Sequence, residues 1–115
     1  MLMLGILYTD TVTLGSGLVI TEQSIAVGSL TNAHPLNGAD GILGLGRVNL
    51  TLGTLPNEPT TIIPTVTQNL WRQDIISEEM ISISFEPVSS TAISYGELAF
   101  GGVDTSRCTS LVAFT

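Results

Sequence analysis

Three observations predict an all-β fold with one short helix. Several stretches alternate polar and apolar residues and are rich in β-branched side chains, which is typical of half-buried strands. Clusters of glycine, proline and asparagine separate these stretches, as turns do. One stretch alone, near residues 64–73, has apolar residues at helical spacing. At 115 residues the chain is at most one domain, and a β domain of this size can bury a core without disulfides.

The first half of the chain predicts a hairpin or meander followed by an unusual apolar run. Residues 6–28 give two or more strands with a turn at Gly15–Gly17, and residues 29–38 read as a loop. The run Asp40–Gly46 contains three glycines, each of which disfavours a helix by about 1 kcal/mol relative to alanine. We therefore expect a short buried strand that another backbone or a ligand approaches closely.

The second half predicts the helix and another hairpin. The helix is expected over Pro64–Gln73, with the proline in its first turn, where a missing N–H costs nothing. Val66 and Leu70 lie four residues apart and form an apolar face, with Trp71 at its edge.

The hairpin strands are expected over residues 80–86 and 95–100, joined by a polar loop at Pro87–Ser94. The first of these strands has apolar residues at every second position, namely Ile81, Ile83 and Phe85. A further strand is expected to start at Leu111.

The charge balance argues against polyanionic partners. The chain has 10 acidic and 3 basic residues, no lysine, a net charge of −7 and a pI near 4.1. With no basic patch, we expect no binding to nucleic acid and none to anionic membranes. No apolar run is long enough to span a bilayer, and the apolar start of the chain lacks the basic region of a signal peptide. An acidic, lysine-free chain suits an acidic medium.

Few side chains are suited to other chemistry. Cys108 and His34 are single, so an internal disulfide, a thiol-based metal site and a cysteine–histidine pair find no support. There is no Gly-x-Ser-x-Gly turn and no phosphate-binding loop, and we expect no metal and no cofactor. The triplet Asn49-Leu50-Thr51 is a glycosylation sequon.

Three aspartates precede small residues in a way that resembles half of a catalytic carboxylate pair. Such a pair needs two aspartates that share one proton, each held by a hydroxyl and by glycine amides. None of Asp10, Asp40 and Asp104 lies in an Asp-Thr-Gly or Asp-Ser-Gly triplet. We expect Asp10 on the surface of a strand, Asp104 in a turn, and Asp40 as a structural hydrogen-bonding carboxylate.

Taken in order, four blocks of the chain resemble the pepsin-like aspartic endopeptidases. The blocks are Gly5–Val12, Asp40–Gly46, Asn69–Trp71 and Phe100–Asp104. Each block alone is modest, but the order and spacing match the family over essentially all 115 residues. The acidic, lysine-free composition is similar to that of the secreted fungal branch.

The resemblance implies a partial lobe. Residues 1–115 would be an N-lobe segment that runs from just after the flap to the inter-lobe crossing. Both catalytic aspartates would then lie outside this chain, which would be inactive alone and would need the missing N- and C-lobe segments for a complete fold. In the full-length enzyme, the two aspartates would activate a water that cleaves peptide or protein substrates at acid pH. The parent family is secreted or vacuolar.

The resemblance also implies roles for individual residues. Asp40, Gly41, Leu43 and Gly44 would form a structural strand beneath the catalytic loop, in a ψ-shaped arrangement. Ala39 and Ile42 would line the substrate pockets, and alanine at position 39, where family members often carry an aromatic, would enlarge one of them.

Two alternatives stay open beside the protease reading. The chain could be a non-catalytic remnant that acts as a binding or interaction module. It could also be a small extracellular β-sandwich that binds carbohydrate or protein, although an aromatic content of 5% gives little support for an exposed aromatic platform. If the chain is a partial lobe, its unpaired strand edges and uncovered apolar surface predict that the isolated chain is marginally stable or aggregation-prone.

Overall fold

A computed structural model describes residues 3–31, 39–85 and 96–108, and these are mostly β-structure with one short α-helix. The predicted all-β fold class is therefore confirmed. In chain order the elements are β1 (Met3–Gly15), β2 (Leu18–Thr31), a first 3₁₀ helix (Val48–Thr51), α1 (Val66–Arg72), β3 (Ile81–Phe85), β4 (Gly96–Phe100) and a second 3₁₀ helix (Thr105–Arg107).

The first two strands form one long antiparallel hairpin, as predicted. The chain reverses at Ser16 and Gly17, and Gly17 adopts a φ of 76° that a glycine accommodates without strain. The register shifts between Asp10 and Val12, opposite an extra stretch of β2 in which Glu22 has a φ of 55°. Bulges of this kind increase the local twist of a hairpin.

The second hairpin also agrees with the sequence prediction. β3 and β4 pair antiparallel from Ile81 opposite Phe100 to Phe85 opposite Gly96. Burial alternates along most of β3, but Ile83 and Phe85 are exposed while Ser82 and Ser84 are half-buried. The predicted Pro87–Ser94 loop, the strand predicted from Leu111 and the predicted loop residue His34 lie outside the described residues.

The predicted helix is present but begins later than expected. α1 starts at Val66, and the Thr65 hydroxyl caps it by accepting a hydrogen bond from the Gln68 N–H at 3.3 Å. Pro64 therefore precedes the cap instead of occupying the first turn, since a threonine cap offers a side-chain acceptor that a proline lacks. At the other end, Asp74 takes a φ of 56°.

The hydrophobic core is small and centres on α1. The buried apolar residues of the described chain are Ile20, Val66, Leu70 and Ile76, with Leu14, Leu18, Ile75 and Phe100 packed against them. Gly101, at a φ of 82°, brings the end of β4 onto this cluster, where a Cβ would lie 2.7 Å from the Cβ of Ile76. Residues from both hairpins therefore pack against the same hydrophobic cluster.

Three amide side chains join α1 to the bulged region of β2. The buried Asn69 donates from Nδ2 to Oε1 of the buried Gln23 at 3.0 Å. Gln73 accepts the Thr21 N–H at 3.0 Å and donates from Nε2 to the Thr21 carbonyl at 2.8 Å. The Gln73 amide thus pairs with a strand residue as a neighbouring strand would, and it satisfies backbone groups that the bulge leaves open.

Candidate functional site

The glycine-rich run from Asp40 to Gly46 forms no strand in the described part of the chain. The expectation of a buried strand is wrong for this chain. The physical reason is the lack of a partner, because β1 pairs only with β2, and β3 only with β4, among the described strands.

The run lies open to solvent along most of its length. Ala39, Asp40 and Leu43 are exposed, Ile42 is exposed over 66% of its surface, and Leu45 is half-buried. A Cβ built on Gly41 or Gly44 would have no atom within 4 Å. The run therefore has free space on its glycine positions, which is where another backbone could approach.

The end of the run is fixed by the first 3₁₀ helix. A Cβ on Gly46 would lie 2.9 Å from Cδ1 of Leu50, so the leucine folds back over the glycine. Thr51 holds this helix in place, since its hydroxyl donates to the Val48 carbonyl at 2.7 Å and accepts the Ile63 N–H at 2.8 Å. The run is thus held at its Gly46 end to the segment that leads into α1.

Asp104 is a turn residue, as the sequence predicted. Its Oδ1 accepts hydrogen bonds from the Ser106 N–H at 2.9 Å and from the Ser106 hydroxyl at 2.6 Å, which caps the second 3₁₀ helix. The guanidinium of Arg107 lies 3.2 Å from the Glu97 carboxylate and 3.7 Å from that of Asp104. Hydrogen bonds from Ser106, with smaller contributions from Glu97 and Arg107, hold the pKa of Asp104 below its usual value of 3.8.

This arrangement differs from a proton-sharing aspartate pair. One oxygen of Asp104 is committed to Ser106 and the other faces Arg107, so the carboxylate caps a turn instead of sharing a proton with a second aspartate. Asp10 is exposed on β1, in agreement with its prediction as a surface residue, and its Oδ1 accepts the neighbouring Thr11 N–H at 2.7 Å.

Other chemistries find no assembled site among the described residues. No group of three histidine, cysteine or acidic side chains is placed to hold a metal ion in this part of the chain. Cys108 is an exposed free thiol. Within the same described ranges, no helix has both the length and the apolar character needed to cross a bilayer.

The residues that sequence reasoning missed are the polar side chains of the interior. Gln23 lies in a predicted strand, but alternation alone gives no sign that this polar side chain is buried. The sequence pattern places Gln73 at the end of the predicted helix but indicates no role for its side chain. A polar residue in a strand and an asparagine inside a helix were the available signals, and neither identifies its partner.

Large apolar side chains are more often exposed than buried in the described chain. The cross-strand pairs Ile6–Val27 and Tyr8–Ile25 lie on one face of the first hairpin, and all four side chains are exposed. On the second hairpin, Phe85 is exposed over 83% of its surface. Contiguous apolar surface of this extent is unusual for a free-standing soluble domain.

The described fold comprises two antiparallel hairpins, one short helix and an open apolar-glycine segment. The model of the eukaryotic aspartyl protease family matches residues 2–115. The chain therefore belongs to the eukaryotic aspartyl proteases.

Individual relatives agree with this assignment. The chain is 49% identical over 108 residues to polyporopepsin from Irpex lacteus, a match that covers 94% of this chain and 31% of that protein. It is 37% identical over 106 residues to rhizopuspepsin-5 from Rhizopus niveus, covering 90% of this chain and 24% of the relative. The crystal structure of the aspartic proteinase from Irpex lacteus superimposes with a TM-score of 0.82 at 50% identity, over 91% of this chain and 30% of that one.

The chain thus spans less than a third of the length of these relatives. They come from fungi, in keeping with the resemblance to the fungal branch.

Proposed function

We propose that this chain is a scaffold and pocket-wall segment of an aspartic-type endopeptidase and that it carries neither catalytic aspartate. In the complete enzyme, two aspartates outside this segment activate a water that attacks the peptide carbonyl at acid pH. The family membership supports the reaction class. The absence of any Asp-Thr-Gly or Asp-Ser-Gly triplet in the 115 residues supports the division of labour.

The observation that carries this proposal is the open glycine run. Gly41 and Gly44 face free space, and the apolar side chains of Ile42 and Leu43 are exposed beside them. An apolar run of this composition is stable in a folded protein only when other residues bury it, because exposed aliphatic side chains do not gain the free energy of burial. We assign the covering to a backbone segment of the complete lobe, with Asp40 as a hydrogen-bonding carboxylate at the start of the run.

The pocket-wall role belongs to Ala39 and Ile42. Both side chains are exposed at the start of the run and available to a bound peptide. In the complete enzyme, Ala39→Phe is expected to reduce cleavage of substrates with a large side chain next to the scissile bond, while small side chains are still accepted. Leu52→Phe, at another exposed site, is the matched control and is expected to leave this preference unchanged.

Complete folding is proposed to need the other segments of the enzyme. The exposed hairpin faces and the small core around Leu70 leave the isolated chain with little buried apolar area. We expect the isolated chain to aggregate or to melt without cooperativity. A cooperative thermal melt together with monomeric elution of purified residues 1–115 would contradict this expectation.

The activity test uses the purified chain and a denatured protein substrate at acid pH. We expect no cleavage by the chain alone, and cleavage when the chain forms part of a complete enzyme that contains both aspartates. Pepstatin-sensitive cleavage by residues 1–115 alone would overturn the assignment of the catalytic groups. Because a chain that fails to fold would also fail to cleave, the complete enzyme with both aspartates serves as the folded comparison.

A non-catalytic interaction module is the second candidate, favoured by the same exposed apolar faces. A sugar-binding platform has less support, since the exposed aromatics Tyr8, Trp71 and Phe85 lie on β1, α1 and β3 and do not share one strand or helix. Because its relatives are fungal acid proteases, we propose that the chain acts outside the cell or in the vacuole and has no nucleic-acid or membrane partner.

A further inference from the structure

We propose that Asn49 carries an N-linked glycan that covers the apolar side chains next to it. Asn49-Leu50-Thr51 is the only Asn-x-Ser/Thr triplet in the sequence, and its middle residue is not proline. The remaining asparagines lie outside such triplets and are Asn32, Asn37, Asn57 and Asn69. The site requires passage through the secretory pathway but does not depend on proteolytic activity.

The structure presents the Asn49 side chain to solvent. Asn49 is exposed on the first 3₁₀ helix, and its backbone carbonyl is held by the Leu52 N–H at 3.2 Å. Among the described residues, none forms a hydrogen bond with its side-chain amide. A sugar attached to this nitrogen would therefore displace no contact of the described fold.

Asn69 provides an internal contrast. This asparagine is 7% exposed, and its amide donates to Gln23 at 3.0 Å, so its side chain is committed to the fold. Asn49 has no comparable structural role. An exposed, uncommitted amide inside a sequon is what a glycosylation site requires.

The neighbours of Asn49 indicate what a glycan would do there. Leu50 is exposed over 77% of its surface, and Leu52 is exposed as well. These two leucines, one on the short helix and one just after it, add to an apolar surface that favours aggregation. A bulky, hydrated sugar chain attached to the adjacent Asn49 would shield them from other molecules.

Thr51 offers a competing explanation for the triplet. Its hydroxyl donates to the Val48 carbonyl at 2.7 Å and accepts the Ile63 N–H at 2.8 Å, so the threonine has a structural role without any glycan. An experiment must therefore separate the sequon from this hydroxyl. Asn49→Gln removes only the sequon, Thr51→Ala removes both, and Thr51→Ser keeps both.

The test is secretion of the chain from yeast behind a secretion leader, with a second sequon in a flexible C-terminal tag. Sugar transfer occurs as a chain enters the endoplasmic reticulum, so the readout does not require a stable fold. We expect two glycans on the parent chain and on Thr51→Ser, and one glycan on Asn49→Gln and on Thr51→Ala. Treatment with peptide-N-glycosidase should convert residue 49 to aspartate in the parent, detected by peptide mass spectrometry.

An occupied tag with a bare Asn49 would overturn the proposal, because the tag proves that the transferase reached the chain. The shielding part is tested by hydroxyl-radical footprinting of the complete enzyme, in which this segment is folded, before and after enzymatic deglycosylation. We expect Leu50 to be labelled several-fold less when the glycan is present, while the exposed Phe85 is labelled equally in both. Equal labelling of Leu50 would refute the shielding. Neither result changes with the outcome of the protease assay.

Discussion

Residues around α1 find packing and hydrogen-bond partners within this chain, whereas most of the glycine run is exposed. Around α1, Ile20 and Leu70 are fully buried, and the polar side chains Gln23 and Asn69 pair with each other. Around the run, Ile42 is 66% exposed, and Gly44 has no neighbour for a Cβ. Both regions contain large aliphatic side chains, so the presence of such side chains does not by itself distinguish them. The difference is the presence of partners within the described chain.

Because of this difference, the same chain contains an ordered contact between β2 and α1 and an open segment at Asp40–Gly46. Contacts between β2 and α1 come from residues about 50 positions apart in the sequence, as with Thr21 and Gln73. The run has no such distant partner among the described residues.

The largest effect is expected for Leu70→Ala. Leu70 is fully buried in the centre of the core, and removing its side chain should lower the free energy of unfolding by about 2–5 kcal/mol. Leu50→Ala, on a largely exposed leucine, is the matched control and should change it by less than about 0.5 kcal/mol. Because the isolated chain is not expected to unfold cooperatively, urea unfolding of the complete enzyme, followed by tryptophan fluorescence, measures both. Similar losses in the two variants would mean that the core is not where the structure puts it.

A glycine pair distinguishes the closed from the open backbone. A Cβ on Gly5 would overlap the carbonyl group of Val27 across the hairpin, so Gly5→Ala should destabilise the chain by about 1–3 kcal/mol. A Cβ on Gly44 meets nothing within this chain. In urea unfolding of the complete enzyme, Gly44→Ala should nevertheless be destabilising, because the covering backbone would meet this Cβ. If it stayed neutral there, the proposed covering backbone would not pass this glycine.

The buried amide pair is expected to show strong coupling. Asn69→Leu leaves the Oε1 of Gln23 buried without its donor, which should cost about 1–3 kcal/mol. Replacing both residues by leucine removes both polar groups and should recover part of that loss. Urea unfolding of the complete enzyme, as the parent, the two single variants and the double variant, gives the coupling energy. Strictly additive losses would show that the hydrogen bond contributes nothing.

The smallest effect concerns acid titration of Asp104. Its folded-state pKa is lowered from 3.8, so its hydrogen bonds stabilise the folded chain above that pH and are lost as the pH falls below 3.8 through the folded-state value. Ser106→Ala should shift the pKa back toward 3.8, because Ser106 supplies the largest cause of the shift. NMR titration of the Asp104 carboxyl carbon measures this. A pKa that does not move in Ser106→Ala would contradict the assigned cause.

Local patterns predicted the elements well. The alternation in residues 6–28 gave the first hairpin, and Ile81, Ile83 and Phe85 gave the strand that β4 completes. The spacing of Val66 and Leu70 gave the helix and its buried face. These predictions hold because hydrogen bonding within a helix and across a short hairpin depends on residues close in sequence.

Which faces are covered could not be predicted in the same way. The apolar alternation of β3 indicated a buried face, yet Phe85 is exposed, and the glycine run reads as a strand but lacks a partner. The roles of Ala39, Asp40, Gly41, Ile42, Leu43 and Gly44 likewise stay predictions, since they depend on groups that this chain does not bring to the run.

Both hairpins, the helix and, through four ordered blocks, the family could be predicted from the amino-acid sequence. The three-dimensional structure was needed to show which side chains are buried, that Gln23 and Gln73 link β2 to α1, and that the run from Asp40 to Gly46 stays open. The physical reason is that secondary structure arises from local periodicity, whereas burial is a property of the partner. A pattern of apolar residues indicates that a face is buried, but it does not identify the residues that bury it.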